Sequence, residues 1–173
     1  AGSVGWGDAC IIVPYEMYRR YGDARILSEN YEMMKKWYVF LEERAKKRPV
    51  NPVKRFKRNP YRRYTIETGV DYGEWCEPDV ESTSAMRTPQ GKVATAFFAY
   101  SGRMLAEIAA ILGKEDDAAY YSKTAEMAKK AWRFIATEDG KISSDRQADY
   151  VRALAFGLLD GDEARQAAAD LNE

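Results

Sequence analysis

The chain has 173 residues, enough for one domain with a hydrophobic core of ordinary size. Lysine plus arginine and aspartate plus glutamate both number 27, and this zero net charge argues against a general nucleic-acid-binding protein. The longest apolar runs fall far short of a membrane-spanning helix, so no membrane contact is expected. The chain has no histidine, which excludes Ser-His-Asp and Cys-His catalysis and the common zinc sites.

The ends and the cysteines give little information about the cellular compartment. The chain has no initiating Met and no signal peptide, so we expect an excised piece of a longer protein. The cellular location cannot be read from such a piece, and a cytoplasmic location is slightly favoured. Cys10 and Cys76 do not suggest a disulfide scaffold, and we expect buried free thiols.

The hydrophobic periodicity predicts six helices and no strand. In chain order, the predicted helices cover residues 9–21, 24–47, 93–112, 117–135, 147–159 and 163–171. The second helix has the clearest apolar stripe, and Asp23 is its predicted N-cap. The stripe consists of Leu27, Tyr31, Met34, Tyr38, Leu41 and Ala45.

The connections between these helices alternate between short and long. Short turns at residues 22–23, 113–116 and 160–162 each contain a glycine and an acidic residue after it, and their shortness predicts that each flanking pair of helices forms an antiparallel hairpin. Long loops cover about residues 48–92 and 136–146. Stacked hairpins of this kind form either a solenoid or a closed α/α toroid.

If the hairpins stack in parallel, the long loops and the starts of helices one, three and five share one face. Two Trp–carboxylate elements lie there, Gly5-Trp6-Gly7-Asp8 and Gly73-Glu74-Trp75. An indole stacks on the apolar face of a sugar ring and a carboxylate accepts hydrogen bonds from hydroxyl groups. Trp6, Asp8, Glu74 and Trp75 are therefore the candidate substrate-binding residues, and carbohydrate is the leading substrate class.

Several stretches carry a resemblance to a known family. They are Gly5-Trp6-Gly7-Asp8-Ala9 through Val13-Pro14 to Tyr21-Gly22-Asp23, Ile26-Leu27 to Trp37, Tyr72-Gly73-Glu74-Trp75, Ser144-Asp145-Arg146-Gln147 with Tyr150, and Ala155-Phe156-Gly157-Leu158-Leu159. Together they resemble the catalytic domain of bacterial α-L-rhamnosidases over most of the chain, apart from a basic insert at about 48–68. Arg146 departs from the small polar residue expected before Gln147.

The resemblance implies an all-α fold in which three antiparallel hairpins form about half of an (α/α)6 toroid, as one partial domain over residues 1–173. It implies hydrolysis of terminal α-L-rhamnosides with inversion by a carboxylate pair. In such enzymes the general acid precedes the position of Gly5 and the general base follows that of Glu173. We therefore expect no catalytic residue on this chain, which would be inactive alone, and a rhamnoside as its binding partner.

Nothing in the sequence requires a cofactor or a metal. The acidic residues Glu77, Asp79 and Glu81 match no EF-hand loop, and a solvated loop is expected there rather than a calcium site. Half a toroid would leave the flanks of its outer hairpins exposed, which predicts a homo-oligomer or a poorly cooperative monomer.

Each candidate residue also has a structural interpretation. Trp6 could instead be a core residue packing the start of a loop. Asp8 could cap helix one, alone or together with sugar contact, and Glu74 could be a solvated loop carboxylate. Asp145 is a predicted cap of helix five, whose Gln147 is a weaker candidate for the site.

Three functions remain open at this stage. Besides a rhamnosidase, the chain could belong to another toroidal glycosidase or polysaccharide lyase, or be a helical-repeat interaction module with Trp6 and Trp75 buried. The basic, aromatic stretch between Arg44 and Tyr64 could bind nucleic acid or an acidic polysaccharide, although a solvated insert that pairs with nearby carboxylates is expected.

Overall fold

The computed structural model describes residues 2–48, 59–73 and 90–172. Within these ranges six α-helices form three consecutive hairpins. The helices are α1 (Ala9–Tyr21), α2 (Arg25–Lys46), α3 (Gly91–Ile111), α4 (Glu115–Ala136), α5 (Gln147–Ala155) and α6 (Gly161–Asp170). A 3₁₀ turn covers Arg62–Tyr64.

The predicted helices are confirmed, with one clear difference in length. The bounds of α1 are those predicted, and every residue of the predicted apolar stripe of α2 is buried. The prediction of Asp23 as the N-cap of α2 is wrong by one residue, because the N-cap is Ala24, although Asp23 Oδ1 accepts a hydrogen bond from the Arg25 backbone N–H at 3.0 Å. Helix α5 ends at Ala155, before the predicted residue 159, because Gly157 adopts a positive φ of 64° and turns the chain.

Helix α3 is the centre of the core. It packs against α1 and α2 on one side and most extensively against α4, while α5 contacts α6. Tyr38 of α2, Phe98 of α3 and Tyr121 of α4 meet in the middle, with ring centroids 5.2 and 5.3 Å from that of Tyr38. Trp132 of α4 is 1% exposed and belongs to the same core. The apolar faces of three helices thus bury one another around α3.

A short antiparallel β-hairpin follows α4, so the prediction of no strand is wrong at this point. Strand β1 (Thr137–Glu138) pairs with β2 (Lys141–Ile142). The connecting Asp139-Gly140 has positive φ at both residues, 50° and 78°. Asp-Gly is a favoured two-residue hairpin turn, because its backbone twist matches that of the strands.

The expectation of a solvated basic insert that pairs with carboxylates is wrong in part for residues 59–68, the portion that the structure describes. Arg63 is exposed and Arg62 Nε lies 3.9 Å from Glu67 Oε2, in keeping with it, but other residues are not solvated. Asn59, Thr65, Ile66 and Glu67 are buried there. The Ile66 backbone N–H donates to Thr95 Oγ1 on α3 at 3.1 Å, which anchors the segment to the core. Tyr64 is partly buried against the core as well, so residues 64–67 pack into the domain while Arg63 stays at the surface.

In the part of the chain that the structure describes, no helix combines the length and apolar character needed to cross a membrane. Cys10 is a half-buried free thiol, as expected, and burial raises its pKa to about 11. Cys76 lies outside the described residues.

Candidate functional site

A cavity of about 490 Å³ lies where α1, α3 and α5 begin. Its walls come from the segment before α1, the first two turns of α3, one side of α5 along its whole length, and the end of the long loop at Tyr72 and Gly73. This arrangement confirms that the odd-numbered helices start on one face, next to a long loop. The cavity is within the size range of small-molecule sites, which are concave and mostly apolar. Its described lining residues include no carboxylate, so they form a binding surface without an acid-base pair.

Trp6 lies at this cavity with 74% of its surface exposed, so the interpretation as a core residue is wrong. Tyr72 meets it edge to face, with ring centroids 6.1 Å apart and an interplanar angle of 75°. A large exposed indole, braced from one side by a second ring, offers its other surface to an apolar face of a ligand.

Asp8 lies beneath the Trp6 turn and is fully buried. Its Oδ1 accepts hydrogen bonds from the Ser101 hydroxyl at 2.5 Å and the Trp37 indole N–H at 3.0 Å. Its Oδ2 accepts from the Gly5 backbone N–H at 2.8 Å. The side chain makes no capping bond to α1, so its predicted role as a helix cap is wrong. It joins the Trp6 turn to α2 and α3 instead.

The environment of Asp8 opposes its ionisation. Burial is the largest effect and raises the pKa of its carboxyl group, while the bonds from Ser101, Trp37 and Gly5 act in the opposite direction. The carboxylate is not among the residues that line the cavity, and its described partners are protein groups. Direct contact between Asp8 and a sugar hydroxyl stays a prediction.

Gly7 is required by the close approach of Trp37. A Cβ atom at position 7 would lie 2.1 Å from Trp37 Cη2, far inside van der Waals contact. The benzo ring of Trp37 thus packs against the backbone of the Trp6 turn while its indole N–H reaches Asp8. This explains the glycine after Trp6, whereas Gly5 before it adopts a positive φ of 88°.

A buried ion pair, Arg44–Asp71, also holds the turn that carries Trp6. Asp71 accepts two bonds from the Arg44 guanidinium, from Nη1 at 2.9 Å and Nη2 at 2.7 Å. The same carboxylate accepts the Val4 backbone N–H at 2.7 Å. Arg44 also donates from Nε to the Thr68 carbonyl at 3.1 Å. One bidentate pair therefore ties α2, the long loop and the residue two before Trp6 together.

The wall formed by α3 and α5 is aromatic, with one cation. Phe156 stacks on Tyr100 with centroids 4.1 Å apart and contacts Phe97 edge to face. Arg152 lines the cavity, and its Nη1 donates to Asp149 at 2.8 Å. Burial lowers the pKa of Arg152 to about 10.

Sequence reasoning missed Arg152, Phe97 and Phe156 as cavity residues. A helical period places all three residues on packed helix faces and does not distinguish a core position from a cavity position. Their position in the first two turns of α3, or within and just after α5, was the available signal.

Two predicted site residues, Glu74 and Trp75, lie outside the described residues, as do Glu77, Asp79 and Glu81. The described chain reaches the cavity at Gly73, immediately before them. Asp145 makes no side-chain cap to α5, whose N-cap is Arg146, so that prediction is wrong. Gln147 is exposed at the start of α5 and is not among the cavity-lining residues.

Comparison with known proteins gives one consistent result. The family model for the bacterial alpha-L-rhamnosidase 6 hairpin glycosidase domain matches residues 1–173. An alpha-L-rhamnosidase of Formosa agariphila is 32% identical over 99% of this chain and 17% of its own length. One from Streptomyces avermitilis is 33% identical over 98% of this chain and 14% of its own length.

A solved structure gives the same picture. The crystal structure of the Streptomyces avermitilis alpha-L-rhamnosidase complexed with L-rhamnose superposes with a TM-score of 0.75 at 29% identity, covering 98% of this chain and 14% of that one. The present chain thus spans less than a fifth of these relatives. Its three hairpins correspond to about half of an (α/α)6 toroid, and the chain belongs to the six-hairpin glycosidase domain family of the bacterial α-L-rhamnosidases.

Proposed function

We propose that this chain supplies one wall of the sugar site in an α-L-rhamnosidase that hydrolyses terminal α-L-rhamnosides with inversion. The observation that carries the proposal is the exposed indole of Trp6 at a largely apolar cavity where three helices begin. A 6-deoxy sugar such as rhamnose presents a methyl group and an apolar ring face, which match aromatic and aliphatic walls.

In this proposal the described chain supplies sugar contacts, and the catalytic groups come from elsewhere. Trp6 stacks on the sugar, and Glu74 and Trp75, which follow the cavity-lining Gly73, complete the contacts from the long loop. The general acid and base lie on other parts of the parent protein, in keeping with the absence of a carboxylate from the described cavity lining. This chain by itself binds weakly and does not hydrolyse.

Saturation-transfer NMR with a sugar panel tests the proposal on the chain itself, because the method detects weak binding. We expect a signal from L-rhamnose, strongest at the methyl group, that is larger than those from L-fucose and D-mannose. D-Galacturonate should respond least, because Arg152 is already paired with Asp149 and the remaining lining is apolar.

The variant Trp6→Ala should remove the L-rhamnose signal. The matched control is Trp132→Phe, since Trp132 is buried far from the ligand surface at 1% exposure. A signal that survives Trp6→Ala, or a preference for D-galacturonate, would contradict the proposal. Equal responses to all sugars would point to non-specific contact.

A further inference from the structure

The segment that carries Trp6 is held by two carboxylates on consecutive backbone amides. Asp8 accepts the Gly5 N–H at 2.8 Å and Asp71 accepts the Val4 N–H at 2.7 Å. Both carboxylates are buried. The indole they support is nevertheless 74% exposed, so its position depends on the backbone beneath it and on its contact with the Tyr72 ring.

Both carboxylates are fixed by one face of α2. Trp37 donates its indole N–H to Asp8, and Arg44, seven residues later and hence on the same face, donates two bonds to Asp71. Phe40 lies between them, with its ring 5.1 Å from that of Trp37 and 5.8 Å from the Arg44 guanidinium. Helix α2 therefore presents a continuous row of contacts under the Trp6 turn.

The Arg44–Asp71 pair also fixes the opposite side of the cavity mouth. Asp71 directly precedes Tyr72, the ring that meets Trp6 edge to face. Arg44 further holds the Thr68 carbonyl, and a Cβ atom at Gly69 would lie 2.4 Å from Arg44 Nη2, so the loop wraps closely around the guanidinium. The buried Arg44 side chain thus sets the positions of the Trp6 and Tyr72 rings relative to α2.

We propose that Arg44 and Asp71 form a positioning pair that holds Trp6 and Tyr72 at the separation the cavity requires. Neither residue lines the cavity, so their effect passes through the backbone of Val4 and of the loop before Tyr72. The consequence for sugar affinity rests on the function proposed above. The consequence for the position of Trp6 does not, which keeps the two proposals separable.

The experiment uses the 173-residue chain labelled with 5-fluorotryptophan and followed by 19F NMR, with Trp6→Phe to assign the Trp6 resonance. In Asp71→Asn and Arg44→Met we expect the Trp6 resonance to shift or split while that of Trp132 stays in place. L-Rhamnose affinity should fall by about tenfold or more, because a displaced Trp6 ring no longer meets the sugar in the required geometry. Arg44→Lys keeps the positive charge but loses the two parallel donors of the guanidinium. Its Trp6 resonance shift and its L-rhamnose affinity should therefore lie between those of these variants and the wild type.

The matched control is Arg133→Met, which removes a different ion pair, the bond from Arg133 of α4 to Glu163 of α6 at 2.6 Å. It should lower the melting temperature and leave the Trp6 resonance and the sugar affinity unchanged. An unmoved Trp6 resonance in folded Asp71→Asn and Arg44→Lys would overturn the positioning pair. Absence of sugar binding in the wild type, with a Trp6 resonance that does shift in the variants, would refute only the proposed function.

Discussion

Asp8 and Asp71 accept hydrogen bonds from adjacent backbone amides, those of Gly5 and Val4, although one carboxylate precedes α1 and the other lies in the loop after α2. Trp6 follows directly on the chain. These buried bonds fix the point from which the Trp6 side chain projects, and the edge-to-face contact with Tyr72 restricts the indole itself. Bonds of this kind to carboxylates are stronger than those between neutral groups.

Replacing Trp6 by Ala should change sugar binding without changing stability. The side chain is 74% exposed, so the free energy of unfolding should stay within about 0.5 kcal/mol of the wild-type value. Trp132→Ala, at 1% exposure, should lose about 3–5 kcal/mol. Urea unfolding measures both values, and a large loss of stability in Trp6→Ala would mean that the indole packs into the core in solution.

The stability of the chain should depend on pH through Asp8. Burial raises the pKa of its carboxyl group in the folded state, so the folded state binds a proton more readily than the unfolded one. Asp8 therefore contributes most stability at acidic pH, near the unfolded value of 3.8, and this contribution is lost as the pH rises through the raised folded pKa.

The comparison with Asp8→Asn isolates this effect because Asn does not titrate and the other groups largely cancel. Urea unfolding at pH 4 and pH 7 should give a wild-type advantage over Asp8→Asn that is greater at pH 4. A wild-type advantage that grows towards pH 7 would show that the hydrogen bonds from Ser101, Trp37 and Gly5 outweigh burial and lower the pKa instead.

Gly7→Ala should displace Trp37. The new Cβ atom would lie 2.1 Å from Trp37 Cη2, and the ring has to move away from Asp8. We expect a loss of about 1–3 kcal/mol, the usual cost of overpacking, together with a change in near-ultraviolet circular dichroism.

Gly22→Ala is the matched control for this substitution. Gly22 has a φ of 74°, so alanine strains the backbone, yet no atom lies within 4 Å of the new Cβ. It should cost about 1 kcal/mol and leave the near-ultraviolet spectrum unchanged. Identical spectra for both variants would show that Trp37 does not press on Gly7.

The isolated chain should self-associate through α1. Val13, Met17 and Tyr21 occur at intervals of four residues and are 53%, 42% and 76% exposed, which makes one apolar strip along the helix. Sedimentation velocity should give a sedimentation coefficient that rises with concentration, and Val13→Lys with Met17→Lys should suppress the rise. The control Lys36→Glu alters an exposed residue of α2 and should have no effect. A monomer at all concentrations would refute self-association.

The sequence determined the helical hairpins and the face that carries the site. The stripe of α2, the glycine and acidic residues of the short turns, and the alternation of short and long connections are local patterns, so they could be read without the fold. They placed Trp6 at a face shared by the starts of α1, α3 and α5. The Trp–carboxylate elements suggested carbohydrate as the substrate class, and the family resemblance suggested a rhamnoside.

Only the tertiary structure decided what holds that face together. The sequence offered Asp8 as a cap or a sugar ligand and Arg44 as part of a solvated basic run. Their actual partners, Trp37 and Ser101 for Asp8 and Asp71 for Arg44, lie far away along the chain. A buried polar group must find a partner wherever the fold supplies one, and that requirement leaves no periodic trace in the sequence.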